Sequence, residues 1–268
     1  MKSFLTALVL LGFSSFLHAQ HTSAASEGNF YTATDSTKIY YEVRGKGKAV
    51  VLVHGFIVDG ESWKPTALYN DLLKAGYKVI TMDLRGNGKS DKPHKTEFYE
   101  NDVEAADVMG LMTRLDINDY ALIGYSRGSI ISSRLLILDK RVNAAVLGGM
   151  GADFTNPQWP RRIMFAEALA GKPVKELEGL VKYVKDSGLD QEALALLQKH
   201  QPSTSPQDLA KVNKPVLVIS GTEDTDNGSA KALAALIPKS THVAVPGDHG
   251  STAATTAFSA EVIKFLKR

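Results

Sequence analysis

From residue 38 onward the hydrophobic positions change rhythm again and again. Short runs of β-branched and aromatic residues alternate with stretches in which apolar residues recur every three or four positions. The runs predict strands at 38–43 (KIYYEV), 49–53 (AVVLV), 78–82 (KVITM), 120–123 (YALI), 142–147, 215–220 (PVLVIS) and 241–245 (THVAV). Gly45-Lys46-Gly47 lies between the first two, so 38–43 and 49–53 read as a hairpin at the start of a sheet. The later runs are continuously apolar, which predicts burial on both faces. The intervening periodic stretches predict helices at 62–75, 102–115, 127–138, 229–236 and 255–266, and stripes such as Val103, Ala106, Met109 and Met112 read as core. Strand and helix in alternation describe an α/β chain with a mostly parallel sheet covered by helices.

Residues 152–211 break that alternation. Helical patterns at 160–170, 174–185 and 191–199 follow one another with no strand between them, and Val174, Leu177, Val181 and Val184 share one face. An all-helical insertion of about 60 residues predicts a cap over one edge of the sheet, since ordinary crossovers are far shorter.

Composition narrows the field. A chain of 268 residues with 44% hydrophobic and 22% charged residues fits one larger α/β domain. A formal charge of +2 is too small for the broad positive field of a nucleic-acid binder. With no cysteine the chain has no disulfide, zinc-thiolate site, iron–sulfur cluster or cysteine nucleophile. Lys2, an apolar run at about 4–17 and small residues near Ala19 predict a secretory signal peptide over residues 1–20, with cleavage after Ala19, Gln20 or Ala25. About fourteen mostly apolar residues fall short of the roughly 20 that span a bilayer, so no stable membrane anchor is expected after cleavage, and the expected location is periplasmic or secreted. The pattern carries no signal for oligomeric state.

One pentapeptide carries chemistry. Gly124-Tyr125-Ser126-Arg127-Gly128 stands between the strand 120–123 and the helix 127–138, the setting of a sharp turn that lifts a serine hydroxyl above a sheet. A serine needs a base, and the base a carboxylate to orient it. The acid is expected in the loop after 215–220, where Asp224 is preferred to Asp226 and Glu223. Of seven histidines the expected base is His249, in the loop after the last strand; His18 and His21 adjoin the leader, His94 lies in a charged loop, His200 in the helical insertion and His242 inside a strand. His54-Gly55-Phe56 follows the strand 49–53, where the backbone N–H of Phe56 can join that of Arg127 as an oxyanion hole, with His54 expected to brace the loop.

With these motifs in place, residues 30–268 resemble the α/β-hydrolase fold superfamily, in the branch with a helical cap after the sixth strand. Asp83-Leu84-Arg85-Gly86-Asn87-Gly88-Lys89-Ser90 matches that branch's D-x-R-G-x-G-x-S turn, and 208–224 resembles its approach to the acid-bearing strand. The resemblance implies a mostly parallel eight-stranded sheet flanked by helices with a small helical cap, and a structural role for the 83–90 turn. Ser126 departs from the aspartate nucleophile of haloalkane dehalogenases and epoxide hydrolases. The insertion is shorter than in many proline iminopeptidases. Arg127 replaces an apolar residue, and a surface ion pair at the helix start is expected for it in preference to contact with an anionic substrate. The implied activity is hydrolysis of a small-molecule ester, thioester or lactone through an acyl-enzyme on Ser126. Amide or C–C cleavage, perhydrolysis and acyl transfer use the same apparatus, and a non-catalytic binding module is the reading from another class. Pocket walls are expected from Trp159, Phe165 and Tyr183, with Phe56, Tyr125 and Trp63 nearby. Neither a metal site nor a cofactor is indicated, because carboxylates and histidines are not clustered at ligand spacing and no dinucleotide fingerprint occurs.

Overall fold

A strand with no polar alternation is stable only between two covering layers, and that requirement organises the molecule. A computed structural model describes residues 28–268; the leader read at 1–20 and its cleavage positions as far as Ala25 lie outside the described residues. The strands are β1 (Asn29–Thr32), β2 (Lys38–Arg44), β3 (Ala49–Val53), β4 (Lys78–Met82), β5 (Tyr120–Tyr125), β6 (Val142–Gly148), β7 (Val216–Gly221) and β8 (Ser240–Val245). They form one eight-stranded sheet in the order β1-β2-β4-β3-β5-β6-β7-β8. β2 runs antiparallel to both of its neighbours, and β3 through β8 are parallel.

The expected hairpin between 38–43 and 49–53 does not form. β2 pairs with β1 and β4, and β3 lies one strand further in. The glycine turn between them arches over the incoming end of β4: a Cβ on Gly45 would stand 2.3 Å from the Tyr77 carbonyl oxygen, and one on Gly47 2.5 Å from that of Gly76. Both glycines sit at positive φ, 76° and 101°. β1, unannounced by any apolar run, is a mostly exposed edge strand in register with β2 from Asn29 opposite Tyr41 to Thr32 opposite Lys38. β8, at the other edge, has three of its six residues exposed and only Val245 buried, and is not buried on both faces as its apolar pattern suggested, because β7 is its only neighbour in the sheet.

Helices α1 (Ala67–Lys74) and α9 (Thr256–Leu266) cover one face. Their Leu68, Leu72, Phe258 and Val262 pack with Val50 and Leu52 of β3. Helices α2 (Val103–Arg114), α3 (Arg127–Leu138) and α8 (Ala230–Ala235) cover the other, where Val108, Leu111, Ile131 and Leu233 share one core with Val51 and Val53. Alternate residues of one strand thus serve opposite cores, each buried aliphatic side chain contributing roughly 1.5–3 kcal/mol.

Between β6 and β7 lie α4 (Pro160–Leu169), α5 (Glu178–Asp186), α6 (Gln191–Lys199) and the short α7 (Pro206–Leu209), with no strand. Asp190 caps α6 by accepting the Ala193 N–H, and Ser205 caps α7 by accepting that of Asp208. Leu169, Val184, Leu194 and Leu197 form a small core of their own, against which Phe56 and Ile57 of the β3 loop pack. That contact sets the helical layer beside the loop leaving β3.

The 83–90 turn ties the loops on this side together. The Asp83 carboxylate accepts the N–H groups of Gly60 (2.9 Å) and Lys89 (2.7 Å), and burial raises its pKa. Arg85, 1% exposed, pairs with Asp107 through two 2.7 Å hydrogen bonds and reaches Asp35 at 2.8 Å.

Candidate active site

Ser126 follows β5 directly and α3 begins at the next residue, so the chain reverses within one residue, at φ 54° and ψ −124°. Such a conformation costs a non-glycine residue about 1–3 kcal/mol and persists only where neighbours impose it. Here the Ser126 N–H donates to Gly148 O (2.8 Å), and its carbonyl accepts the Ser129 N–H (2.9 Å). Closeness makes the flanking glycines necessary: a Cβ on Gly124 would lie 2.4 Å from Gly128 O, and one on Gly128 2.1 Å from Val53 O.

The tertiary structure brings His249 to this serine. Its Nε2 stands 2.9 Å from Ser126 Oγ and its Nδ1 2.9 Å from Asp224 Oδ2. Asp224, on the loop after β7, has a side chain 4% exposed, against 25% for His249. Glu223 and Asp226 are exposed, and Asp226 faces Arg161 instead. The histidine is held from two further directions: Tyr125 donates its hydroxyl to the His249 carbonyl (2.7 Å), and its ring lies 5.5 Å from the imidazole, tilted by 34°. Asn227 Nδ2, which donates to Gly149 O (3.2 Å), lies 3.3 Å from His249 Nδ1. A hydroxyl, an imidazole and a buried carboxylate in a row can pass a proton from the serine to the ring while the carboxylate balances the charge that results.

The loop after β3 closes on the serine, a Cβ on Gly55 falling 3.5 Å from Ser126 Cβ. Neither the Phe56 nor the Arg127 amide N–H meets an acceptor among the described residues. His54 is 1% exposed and fully engaged: its Nδ1–H donates to Gly55 O (2.7 Å) and its Nε2 accepts the Leu84 N–H (2.9 Å). Burial pushes its pKa down, and a neutral ring bracing the loop against the 83–90 turn is the result.

Arg127 forms its ion pair inside the protein and not on the surface. Nη1 meets Glu104 Oε1 at 2.7 Å, Nη2 meets Oε2 at 2.5 Å, and the side chains are 3% and 5% exposed. Nη2 also donates to Leu197 O at 3.2 Å, linking α3 to α6 of the helical layer. A carboxylate among the apolar positions of 102–115 was the available sign, but its partner lies 23 residues on.

A cavity of about 440 Å³ opens at Ser126 and His249, within the size range of small-molecule sites. Phe56, Trp63, Tyr125, Trp159 and Phe165 line it, and so do Ile130, Met150 and Leu180, which the sequence did not single out. Tyr183 does not line it and is 51% exposed. Val184 is the buried residue of α5, and Tyr183, about 100° round the helix from it, is carried outward. Gln198, Gln201, Arg161, Arg162, Asn227, Ser62 and Thr66 add polar lining, and nothing local in the sequence marks them as neighbours of Ser126.

The chain and its fold are similar to known proteins. The sequence model of the alpha/beta hydrolase fold family matches residues 48–166. A Synechocystis protein provisionally named a non-heme chloroperoxidase is 45% identical over 111 residues, covering 41% of this chain and 39% of the relative. The chain spans well under half the length of the first curated relatives it matches, 39%, 34% and 35%. Structural likeness extends further. The crystal structure of a bromoperoxidase from Bacillus anthracis superposes with a TM-score of 0.72 at 26% identity over 90% of this chain and 100% of the other. That of the esterase RhEst1 from Rhodococcus sp. ECU1013 does so with a TM-score of 0.68 at 26% identity over 90% and 98%.

Proposed function

We propose that this chain, which belongs to the α/β-hydrolase superfamily, is a serine hydrolase that cleaves a small-molecule carboxylic ester, thioester or lactone. The observation that carries the reading is the hydrogen-bonded row Ser126 Oγ, His249, Asp224, at 2.9 Å on each side of the imidazole. In the proposed cycle His249 Nε2 takes the hydroxyl proton as Ser126 Oγ attacks the substrate carbonyl, and Asp224 steadies the imidazolium. The oxygen that gains negative charge is received by the free N–H groups of Phe56 and Arg127, each such donor being worth roughly 3–4 kcal/mol in the transition state. The tetrahedral intermediate collapses as His249 protonates the departing alcohol, leaving an ester on Ser126. Water, deprotonated by His249, then releases the acid and restores the serine.

Relatives named as haloperoxidases support a second outcome of the same acyl-enzyme. Hydrogen peroxide in place of water attacks the acyl carbon, and a peracid departs as Ser126 recovers its proton. We also propose that the protein acts outside the cytoplasm, after removal of the leader read at residues 1–20.

The test is labelling by a fluorophosphonate probe together with hydrolysis of p-nitrophenyl esters from acetate to octanoate. Wild-type protein should label and turn over, and Ser126→Ala should lose labelling and at least about a thousandfold of kcat. A well-folded wild type that neither labels nor hydrolyses, but still binds ligands in the cavity, would refute the hydrolase reading in favour of a binding module.

A further inference from the structure

The charges around the cavity are unevenly arranged. No aspartate or glutamate lines it, whereas three arginines do; Asp224 is committed to His249, and Glu223 and Asp248, the residues preceding Asp224 and His249, are not among the lining residues. Two of the three are already occupied. Arg127 is neutralised by Glu104 inside the protein. Arg162 has no carboxylate partner among the described residues and keeps its charge, but both of its Nη groups are committed to carbonyl oxygens, those of Gln198 (3.1 Å) and Lys199 (2.7 Å) at the end of α6 and that of Pro157 (2.7 Å).

Arg161 is different. Its only carboxylate contact among the described residues is Asp226 at 3.8 Å, with both side chains open to water at 36% and 51%, a pairing weak enough for a ligand to replace. The guanidinium lies 5.0 Å above the centre of the Phe165 ring, and Phe165 stands edge-on to Phe56 at 6.2 Å. A stack of two rings thus places the cation beside the loop that carries the Phe56 N–H. Gln198 and Gln201 also line the cavity, 6% and 8% exposed, and their side-chain amides form no hydrogen bond among the described residues. Neither amide is among the buried polar atoms that lack a partner, so both are open to the water of the cavity and free to meet a polar group of a ligand.

We infer that the cavity selects substrates carrying a carboxylate remote from the scissile bond, received by Arg161 with the amides of Gln198 and Gln201, and that Arg161 is the specificity-determining residue. The inference rests on the hydrolase reading and deepens it. An aliphatic or aromatic spacer lies on Phe165 and Phe56, and the anion reaches the lining arginine whose guanidinium makes no hydrogen bond among the described residues. A neutral ester of equal length fills the same apolar surface but leaves the cation and both amides unmatched.

The experiment compares kcat/KM for mono-p-nitrophenyl adipate with that for p-nitrophenyl hexanoate, and likewise the suberate hemiester with the octanoate. A second arm moves the anion to the alcohol side, 4-acetoxybenzoate against phenyl acetate. The wild type should prefer the anionic member by about tenfold or more in one arm. Arg161→Gln should lower that ratio about tenfold, Arg161→Lys should retain part of it, and added salt should erode it. A wild-type ratio at or below one in both arms overturns the proposal, as does a high ratio that Arg161→Gln leaves intact. If neither ester is hydrolysed and Ser126 does not label, the hydrolase reading fails separately. Calorimetric titration of monomethyl adipate and methyl hexanoate into Ser126→Ala protein then reads the cavity without turnover. Tighter binding of the anion supports the assignment, and equal or weaker binding overturns it.

Discussion

Glu104→Ala isolates the ion pair beneath the nucleophile turn. Both partners are 5% exposed or less, two short hydrogen bonds join them, and the Arg127 Nε has no acceptor among the described residues. Without Glu104 the guanidinium keeps a single contact, Leu197 O at 3.2 Å, and stays buried as an uncompensated charge. Removing one partner of a buried pair costs about 3–5 kcal/mol. At roughly 2–4 °C per kcal/mol for a domain of this size, Tm should fall by about 6–20 °C. Urea titration followed by tryptophan fluorescence gives the free energy directly, a constant slope showing that the same two states are compared. The double variant Glu104→Leu with Arg127→Met removes both charges and keeps the volume, and it should recover most of the loss. A cost below about 1 kcal/mol for Glu104→Ala, or a double variant no more stable than the single one, would show that the pair is not desolvated as the structure has it.

Two further predictions concern the site. Asp224→Asn should lower kcat by about 10³–10⁴, because the ring loses the partner that sets its tautomer, whereas Asp226→Asn and Glu223→Gln should change turnover on neutral esters less than about threefold; steady-state kinetics with p-nitrophenyl esters separates the three. His54, whose pKa is lowered by burial, stays neutral in the fold while the unfolded chain takes up a proton as pH falls past 6.5. The unfolded state binds more protons there, so stability should decline on the acid side by up to about 1.4 kcal/mol per pH unit. Asp83, Asp59 and Arg127 are the charged neighbours of His54 and are retained in His54→Asn, which should flatten that slope in urea titrations between pH 6.5 and 5. An unchanged slope would remove His54 from the account.

Much of the site was legible because its signals are local. The turn at Ser126 needs glycine at 124 and 128 within one pentapeptide, and the loops after two apolar runs each offered one suitable group. Where three carboxylates stood within four residues, only the fold could put Asp224 against His249 and turn Glu223 and Asp226 to solvent. Tyr183 shows the limit from the other side, since an aromatic residue in a helical segment announces neither which way the helix is turned nor what its neighbours bury.

By itself the sequence determined the alternation of strand and helix, the helical stretch between the sixth and seventh strands, and the motif set of Ser126, Asp224, His249 and the loop at His54, because these depend on residues close along the chain. The tertiary structure alone decided the strand order, in which β4 slips between β2 and β3, and the edge position of β1. It alone joined Arg127 to Glu104 and left the Arg161 guanidinium at the cavity with only a distant contact to Asp226. Strand order and charge pairing depend on which distant surfaces exclude water together, and no periodicity along the chain encodes that.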